Sequence, residues 1–239
     1  MIRCIVFALV TAVFGLSAPA RAGTLATYAD ETPDKVMTIE VADNGDARIS
    51  DGTDGDYGLM LGGHFYIVGS SGGALRVARI EDVAAAIDQV IPPVFRGLLS
   101  GARTAPARNF RAVRQGTRTV AGQTGTVYLV YGLNDQKPDE AQEIVLSSDP
   151  ALRPIGAAME QFMNAAIVPA APLIGEGAAD IIASTRAIFA LGTPLDVGRF
   201  RLTSLADADV PPARLALPAK ASTVDELVSE MRSMLPSGQ

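Results

Sequence analysis

The chain has one cysteine, Cys4, one histidine, His64, and no tryptophan among its 239 residues. These absences remove whole classes of chemistry. A zinc site wants several Cys or His ligands, which one residue of each cannot supply. A disulfide within the chain needs two cysteines and is excluded with it. Any Ser-His or Cys-His couple is left with a single histidine to use. Aromatic residues make up only 5% of the chain, so a core must rest on Ala, Val, Ile and Leu. No segment beyond the first 22 residues offers the 18 uninterrupted apolar residues of a membrane-spanning helix. Positive charge is also in the minority, with 20 Lys and Arg against 26 Asp and Glu. An acidic chain is poorly suited to nucleic acid, whose phosphates must be neutralised by a basic surface.

What is present begins with an address. Met1-Ile2-Arg3 is a short basic start, and Cys4 to Leu16 is an almost unbroken apolar run. At about 13 residues that run is too short to cross a bilayer and suits a secretory leader. Ala20-Arg21-Ala22 supplies the small-x-small pattern of a cleavage site. The expectation is a signal peptide over 1–22, cleavage after Ala22 and a periplasmic chain over 23–239. Cleavage would remove Cys4, Arg3 and Arg21, and would take the net charge from −6 to −8. With 48% hydrophobic and 19% charged residues, the remainder can bury a real core.

Met37, Ile39 and Val41 alternate with Thr38 and Glu40, the period of a half-buried strand. Asn44-Gly45 is placed for a type I′ hairpin turn. Further strands are expected at Ala47–Ser50, Tyr57–Leu61, His64–Val68 and Leu75–Arg79. The period then changes. Val83, Ala86, Ile87 and Val90 fall on one helical face, opened by Glu81 and Asp82. Strands follow at Phe110–Gln115, Arg118–Val120, Thr126–Tyr131 and Gln142–Leu146. Asp149-Pro150 starts a helical block, an N-cap followed by proline. Pro169 and Pro172 interrupt it, and Ala178–Ala190 resumes. Leu195–Leu205 and Ala213–Leu217 read as closing strands. Thr223-Val224-Asp225-Glu226 is a capping box for a last helix. No repeat or Ser-rich linker divides the chain, so one domain is expected.

Four constellations invite chemistry. Gly69-Ser70-Ser71-Gly72-Gly73 satisfies G-x-S-x-G. A nucleophile elbow needs a helix directly after it and a histidine further on. Here an apolar alternation follows and His64 comes first, so a hairpin turn is the reading and a Ser71 hydrolase ranks last. His64 beside Phe65 and Tyr66 reads as a structural or surface histidine. Asp43, Asp46, Asp51, Asp54 and Asp56 suggest calcium, but they lack the EF-hand glycine and bidentate glutamate. Asp, Asn and Gly also belong in hairpin turns for backbone reasons. Lastly, Gln89 to Asn134 holds no acid and no lysine, yet carries Arg96, Arg103, Arg108, Arg111, Arg114 and Arg118. Arginine grips phosphate and carboxylate in two-point fashion, so the segment could meet a headgroup or an acidic partner. Equally, it could face the acidic turns of its own chain.

The order of elements resembles a known group. Val36 to Val41 with Asn44-Gly45-Asp46-Ala47-Arg48-Ile49 is similar to the opening of exported DUF4412 proteins. Thr119 to Tyr128 resembles the Gly-centred strand pair of that group, and Glu143-Ile144-Val145-Leu146-Ser147 the strand before its helix. Gly192-Thr193-Pro194-Leu195 and Leu202 to Leu205 resemble its closing strands. Val145 stands where an aromatic residue is usual. The group is similar to the lipoprotein-carrier superfamily of LolA, LolB and LppX. The resemblance implies an α+β fold, a curved antiparallel sheet forming an incomplete barrel closed by helices, with an apolar cavity between. Carriers of this superfamily hold acyl chains there.

Two functions are therefore carried forward. The first is a periplasmic carrier for an apolar or lipid-like ligand, without catalytic residues, cofactor or metal. Its cavity is expected to use Leu59, Leu61, Phe65 and Ile67 from the first strands. Val127, Leu129 and Tyr131 would join them from a later strand. Met159, Phe162, Met163, Ile181, Ile182 and Phe189 would come from the helical block. Arg103, Arg108, Arg111, Arg114 and Arg118 would meet an anionic headgroup. The alternative is a non-catalytic envelope assembly protein that docks an acidic partner through the same arginines.

Overall fold

A computed structural model describes residues 21–30, 36–50, 55–71, 73–92, 110–133, 137, 139–171 and 176–234. The alternating segments form strands β1 (Arg21–Ala29), β2 (Val36–Ala42), β3 (Ala47–Ser50), β4 (Tyr57–Leu61), β5 (His64–Ser71) and β6 (Ala74–Arg79). After helix α1 (Ile80–Val90) come β7 (Arg111–Val120), β8 (Gln123–Tyr131) and β9 (Gln142–Ser147). Helices α2 (Arg153–Ile167) and α3 (Glu176–Leu191) follow, then β10 (Thr193–Val197), β11 (Phe200–Val210) and helix α4 (Val224–Met234).

All eleven strands belong to one curved, unclosed antiparallel sheet, in the order β6-β5-β4-β3-β2-β1-β11-β10-β9-β8-β7. The first six strands make one meander and the last five another, joined where β1 pairs with β11. The two edges are thus β6 and β7, consecutive along the chain but at opposite ends of the sheet. This is an α+β fold in a single domain, with no helix among the described residues long and apolar enough to cross a membrane.

The main core lies on one face of the sheet. Tyr28, Met37, Ile39, Ile49 and Phe65 meet Leu152, Ile155, Ala158 and Met159 of the α2 region there. Asp149 accepts a 2.9 Å hydrogen bond from the Ala151 amide, and the proline after it opens a 3-10 turn, not the helix itself. Gly156 lets α2 approach β10, since a Cβ there would sit 2.6 Å from the Thr193 hydroxyl. That hydroxyl donates to the Leu152 carbonyl at 2.9 Å, and the buried Tyr28 hydroxyl donates to Pro194 at 2.8 Å. Burial pushes the Tyr28 phenol well above its usual range, so it stays a neutral donor.

The other face of β4 to β6 is covered differently. Leu59, Val68 and Val77 pack under Leu217 and Ala221, from the segment between β11 and α4. Arg214 pins this segment to Glu40 by two contacts of 2.8 Å. The Ser222 amide donates to the Val77 carbonyl at 2.8 Å and so occupies part of the β6 edge. Leu227 and Val228 of α4 then pack with Ala86 of α1.

Four local expectations change. Residues 213–217 are no strand: Pro212–Leu215 is a 3-10 turn, as two adjacent prolines supply no ladder donors. Leu195–Leu205 is broken into β10 and β11 at Gly198, whose φ of 56° suits a type II′ hairpin turn. Phe110–Gln115 and Arg118–Val120 instead form one strand carrying a bulge between Arg114 and Gly116. Asn44-Gly45 is not type I′, because only Gly45 has positive φ. The Gly45 amide bonds to Ala42 and the Ala42 amide to Asp46, which is a three-residue loop with a glycine bulge. Strand β1 starts at Arg21; residues 1–20, which hold most of the expected leader, lie outside the described residues.

Candidate functional site

Two apolar cavities lie beside α2. Helical geometry places Met159, Phe162, Met163 and Ala166 on one face, at spacings of three and four. Met159, Phe162 and Met163 line a cavity of about 320 Å³ with Met37, Ile181, Ile188, Val197 and Phe200. Phe162, Ala165 and Ala166 line a second, of about 220 Å³, against Ile49, Gly58, Phe65 and Ile67. Phe162 belongs to both walls. Its ring packs on Phe65, with centroids 6.2 Å apart and planes tilted by 53°. Phe65 in turn lies over Gly58, where a Cβ would come 2.3 Å from the ring.

The larger cavity has a charged corner. Arg199, at the tip of the β10–β11 hairpin, lines it beside Phe200. Its Nε stands 3.3 Å from the Asp30 carboxylate, which is only 3% exposed while the arginine is 60% exposed. The guanidinium also lies 5.0 Å from the Phe200 ring centroid. In the smaller cavity the charged lining group is Asp56, whose carboxylate accepts from the Ser70 amide at 3.2 Å.

Of the thirteen side chains expected to line one cavity, six line the two: Phe65 and Ile67 the smaller, Met159, Met163 and Ile181 the larger, and Phe162 both. Leu59 and Leu61 do not join them. They alternate to the opposite face of β4 and pack toward Val68, Val77 and Leu217. Val127 is buried in the main core, and Leu129 and Tyr131 share its face of β8. The intervening residues Tyr128 and Val130 turn instead to Ile188 of α3. Phe189 packs on the main core from the side of Gly156 and Thr193. Ile182 is half-buried and lines neither cavity.

The described members of the expected headgroup set, Arg111, Arg114 and Arg118, line neither cavity. Arg118 pairs with Glu143 on β9 at 2.7 Å, and Arg111 lies 4.3 Å over the Tyr131 ring. Arg114 is exposed on the β7 edge. Arg96, Arg103 and Arg108 lie outside the described residues. The acidic turns use their carboxylates locally: Asp46 accepts from the Asn44 side chain and the Gly62 amide, and Asp56 from Ser70. Asp51 and Asp54 fall outside the described residues. Gly69, Ser70 and Ser71 end β5 and pair with Arg76, Leu75 and Ala74 of β6, so a strand and not a helix follows them; Gly72 lies outside the described residues. His64 is half-exposed and 3.8 Å from Glu81 on the surface.

Sequence reasoning missed Arg199, Asp30, Met37 and Phe200. One signal was present: Gly198 interrupts an otherwise apolar alternation, and a glycine opening a two-residue turn exposes the next side chain at a hairpin tip. A polar groove of about 600 Å³ also runs between β6 and α4, but Arg76, Lys220, Glu226 and Glu230 line it, and its character is that of a solvated surface. No protein-family model, curated protein or solved structure matches the chain.

Proposed function

We propose that the protein is an exported, non-catalytic carrier that holds an apolar or amphipathic ligand between its curved sheet and helices α2 and α3. One observation carries the reading. A cavity of about 320 Å³, walled by Met37, Met159, Met163 and Ile188, carries an arginine at its corner. Ligand sites are mostly apolar hollows of about 300–1,000 Å³ with a few placed polar groups. Methionine side chains suit such a wall because they adapt to different shapes. Met163 is 41% exposed, so this wall reaches the surface. The leader sequence and the resemblance to lipoprotein carriers agree with this reading, and periplasmic export is part of the proposal.

The test uses 1-anilinonaphthalene-8-sulfonate, a dye that fluoresces on entering apolar sites. Wild-type protein should enhance its emission saturably, and Met163→Trp should fill the wall and weaken that binding several-fold. Folded wild-type protein with no saturable enhancement would overturn the reading. The assembly-protein alternative is weaker, because Arg111 and Arg118 are engaged within the chain. Only Arg114 among the described members of that set stands on the sheet edge without such a contact. Undiminished partner capture in cells by Arg114→Glu would remove it.

A further inference from the structure

The following rests on the carrier reading and names the ligand class of that site. We propose that the two apolar cavities form one channel for a single-chain amphipathic anion. Its acid group sits at Arg199, its tail runs past Phe162, and the Phe162 ring sets the chain length accepted.

Volume is the first argument. The smaller cavity falls below the roughly 300 Å³ at which ligand pockets begin, and the larger only just reaches it. At 220 and 320 Å³ they offer about 540 Å³ together, well inside that range. A continuous channel is therefore a better fit to an acyl chain than either half. Phe162 is what stands between the halves, and its surroundings let it move. The residues after it on α2's cavity face are Ala165 and Ala166, which leave space for the ring. Its other neighbours are Met159 and Met163, the most adaptable of apolar side chains. Phe162 itself is only half-buried, at the margin of the main core, where its ring rests on Phe65.

Charge fixes the direction. Arg199 offers a guanidinium to the larger cavity, with its Nε 3.3 Å from the Asp30 carboxylate. The guanidinium is 60% exposed at the cavity corner, and such a group grips a carboxylate or phosphate with two parallel hydrogen bonds. At the far end stands Asp56, with a carboxylate that repels an acid group. The head thus belongs at Arg199 and the tail at Phe65 and Ile67.

Isothermal titration calorimetry decides the matter with defined probes kept below their micelle concentrations. These are decanoate, tetradecanoate, octadecanoate, tetradecyl phosphate and tetradecanol. Wild-type protein should bind the tetradecyl anions about tenfold more tightly than tetradecanol, as expected for a charge-assisted hydrogen bond. Arg199→Gln should abolish that difference and leave the chain-length profile alone. Phe162→Ala should shift the optimum toward octadecanoate, and Phe162→Trp toward decanoate. Phe162→Leu, milder in its effect on packing, should shift it in the same direction as alanine, and thermal melting identifies the variants that fold. The ratio of carboxylate to phosphate affinity distinguishes a free fatty acid from a phospholipid-type head. Equal binding of anions and alcohol by the wild type overturns the inference, as does an unchanged chain-length optimum in the Phe162 variants. Failure of every probe, tetradecanol included, would instead overturn the carrier reading beneath it.

Discussion

Strands β3 to β5 are covered on both faces, and the two covers differ in kind. On one face Leu59 and Val68 are wholly buried beneath Leu217 and Ala221, which lie in a stretch without helix or strand. On the other, Ile49 and Phe65 lie beneath α2, and a cavity remains between them. An irregular segment can follow the pleated surface and fill it. A straight helix about 10 Å across meets a curved sheet along a line and leaves space at its flanks. Both strand faces are apolar, so the strands themselves do not decide which side holds a cavity. The covering element does.

The largest expected effect lies on the filled face. Leu59→Ala, at a site with 0% exposure, should destabilise the protein by about 2–5 kcal/mol in urea unfolding while dye binding is unchanged. A loss of binding with that variant would break the distinction between the faces. Detaching the cover comes next. Arg214→Ala breaks a bidentate pair with Glu40, but the arginine is 48% exposed. Screening limits the cost to about 1 kcal/mol, and added salt should shrink it further.

Ile67→Ala, on the cavity face and 42% exposed, should cost under about 1 kcal/mol and yet weaken binding of the dye. That pattern is the reverse of Leu59→Ala, and the pair of variants sharpens the contrast. The smallest effect is a pH dependence at the start of α4. The Thr223 amide donates to the Glu226 carboxylate at 2.7 Å. This bond, with the Thr223 hydroxyl, holds the Glu226 carboxyl below its ordinary 4.5. Because the folded value lies below the unfolded one, the contribution is complete above the ordinary value and is lost as pH falls through the lowered one. Circular dichroism should show Glu226→Gln less helical than wild type at neutral pH and indistinguishable in acid. A difference that persisted in acid would place its origin outside this hydrogen bond.

Local rules were legible wherever one signal acted alone. The helical period over Val83, Ala86, Ile87 and Val90 falls inside α1, and the Thr223–Glu226 capping box opens α4 with both of its hydrogen bonds. The strand alternations located most of the sheet. Side assignment was not legible. Leu59 and Phe65 are both apolar members of paired strands, yet they point to opposite faces. Only the packing of distant segments, 153–167 on one side and 215–221 on the other, separates them. Turn chemistry failed where two types share a residue, as at Gly45, whose positive φ serves a glycine bulge as well as a type I′ turn. Arg199 went unread for a different reason. Its role comes from a hairpin tip meeting Asp30, 169 positions earlier in the chain, and no local pattern reports such a meeting.

The central claim is that the cavities beside α2 hold an amphipathic ligand in the working protein. The most direct test is to purify the chain from its native compartment without detergent, extract it with organic solvent and analyse the extract by mass spectrometry. Met163→Trp, treated in parallel, has part of the cavity wall filled. The account predicts a single-chain acidic lipid recovered in near-equal amount with the wild type and much reduced with the variant. A wild-type protein that is consistently empty, or one that yields the same lipid as the filled variant, would contradict it.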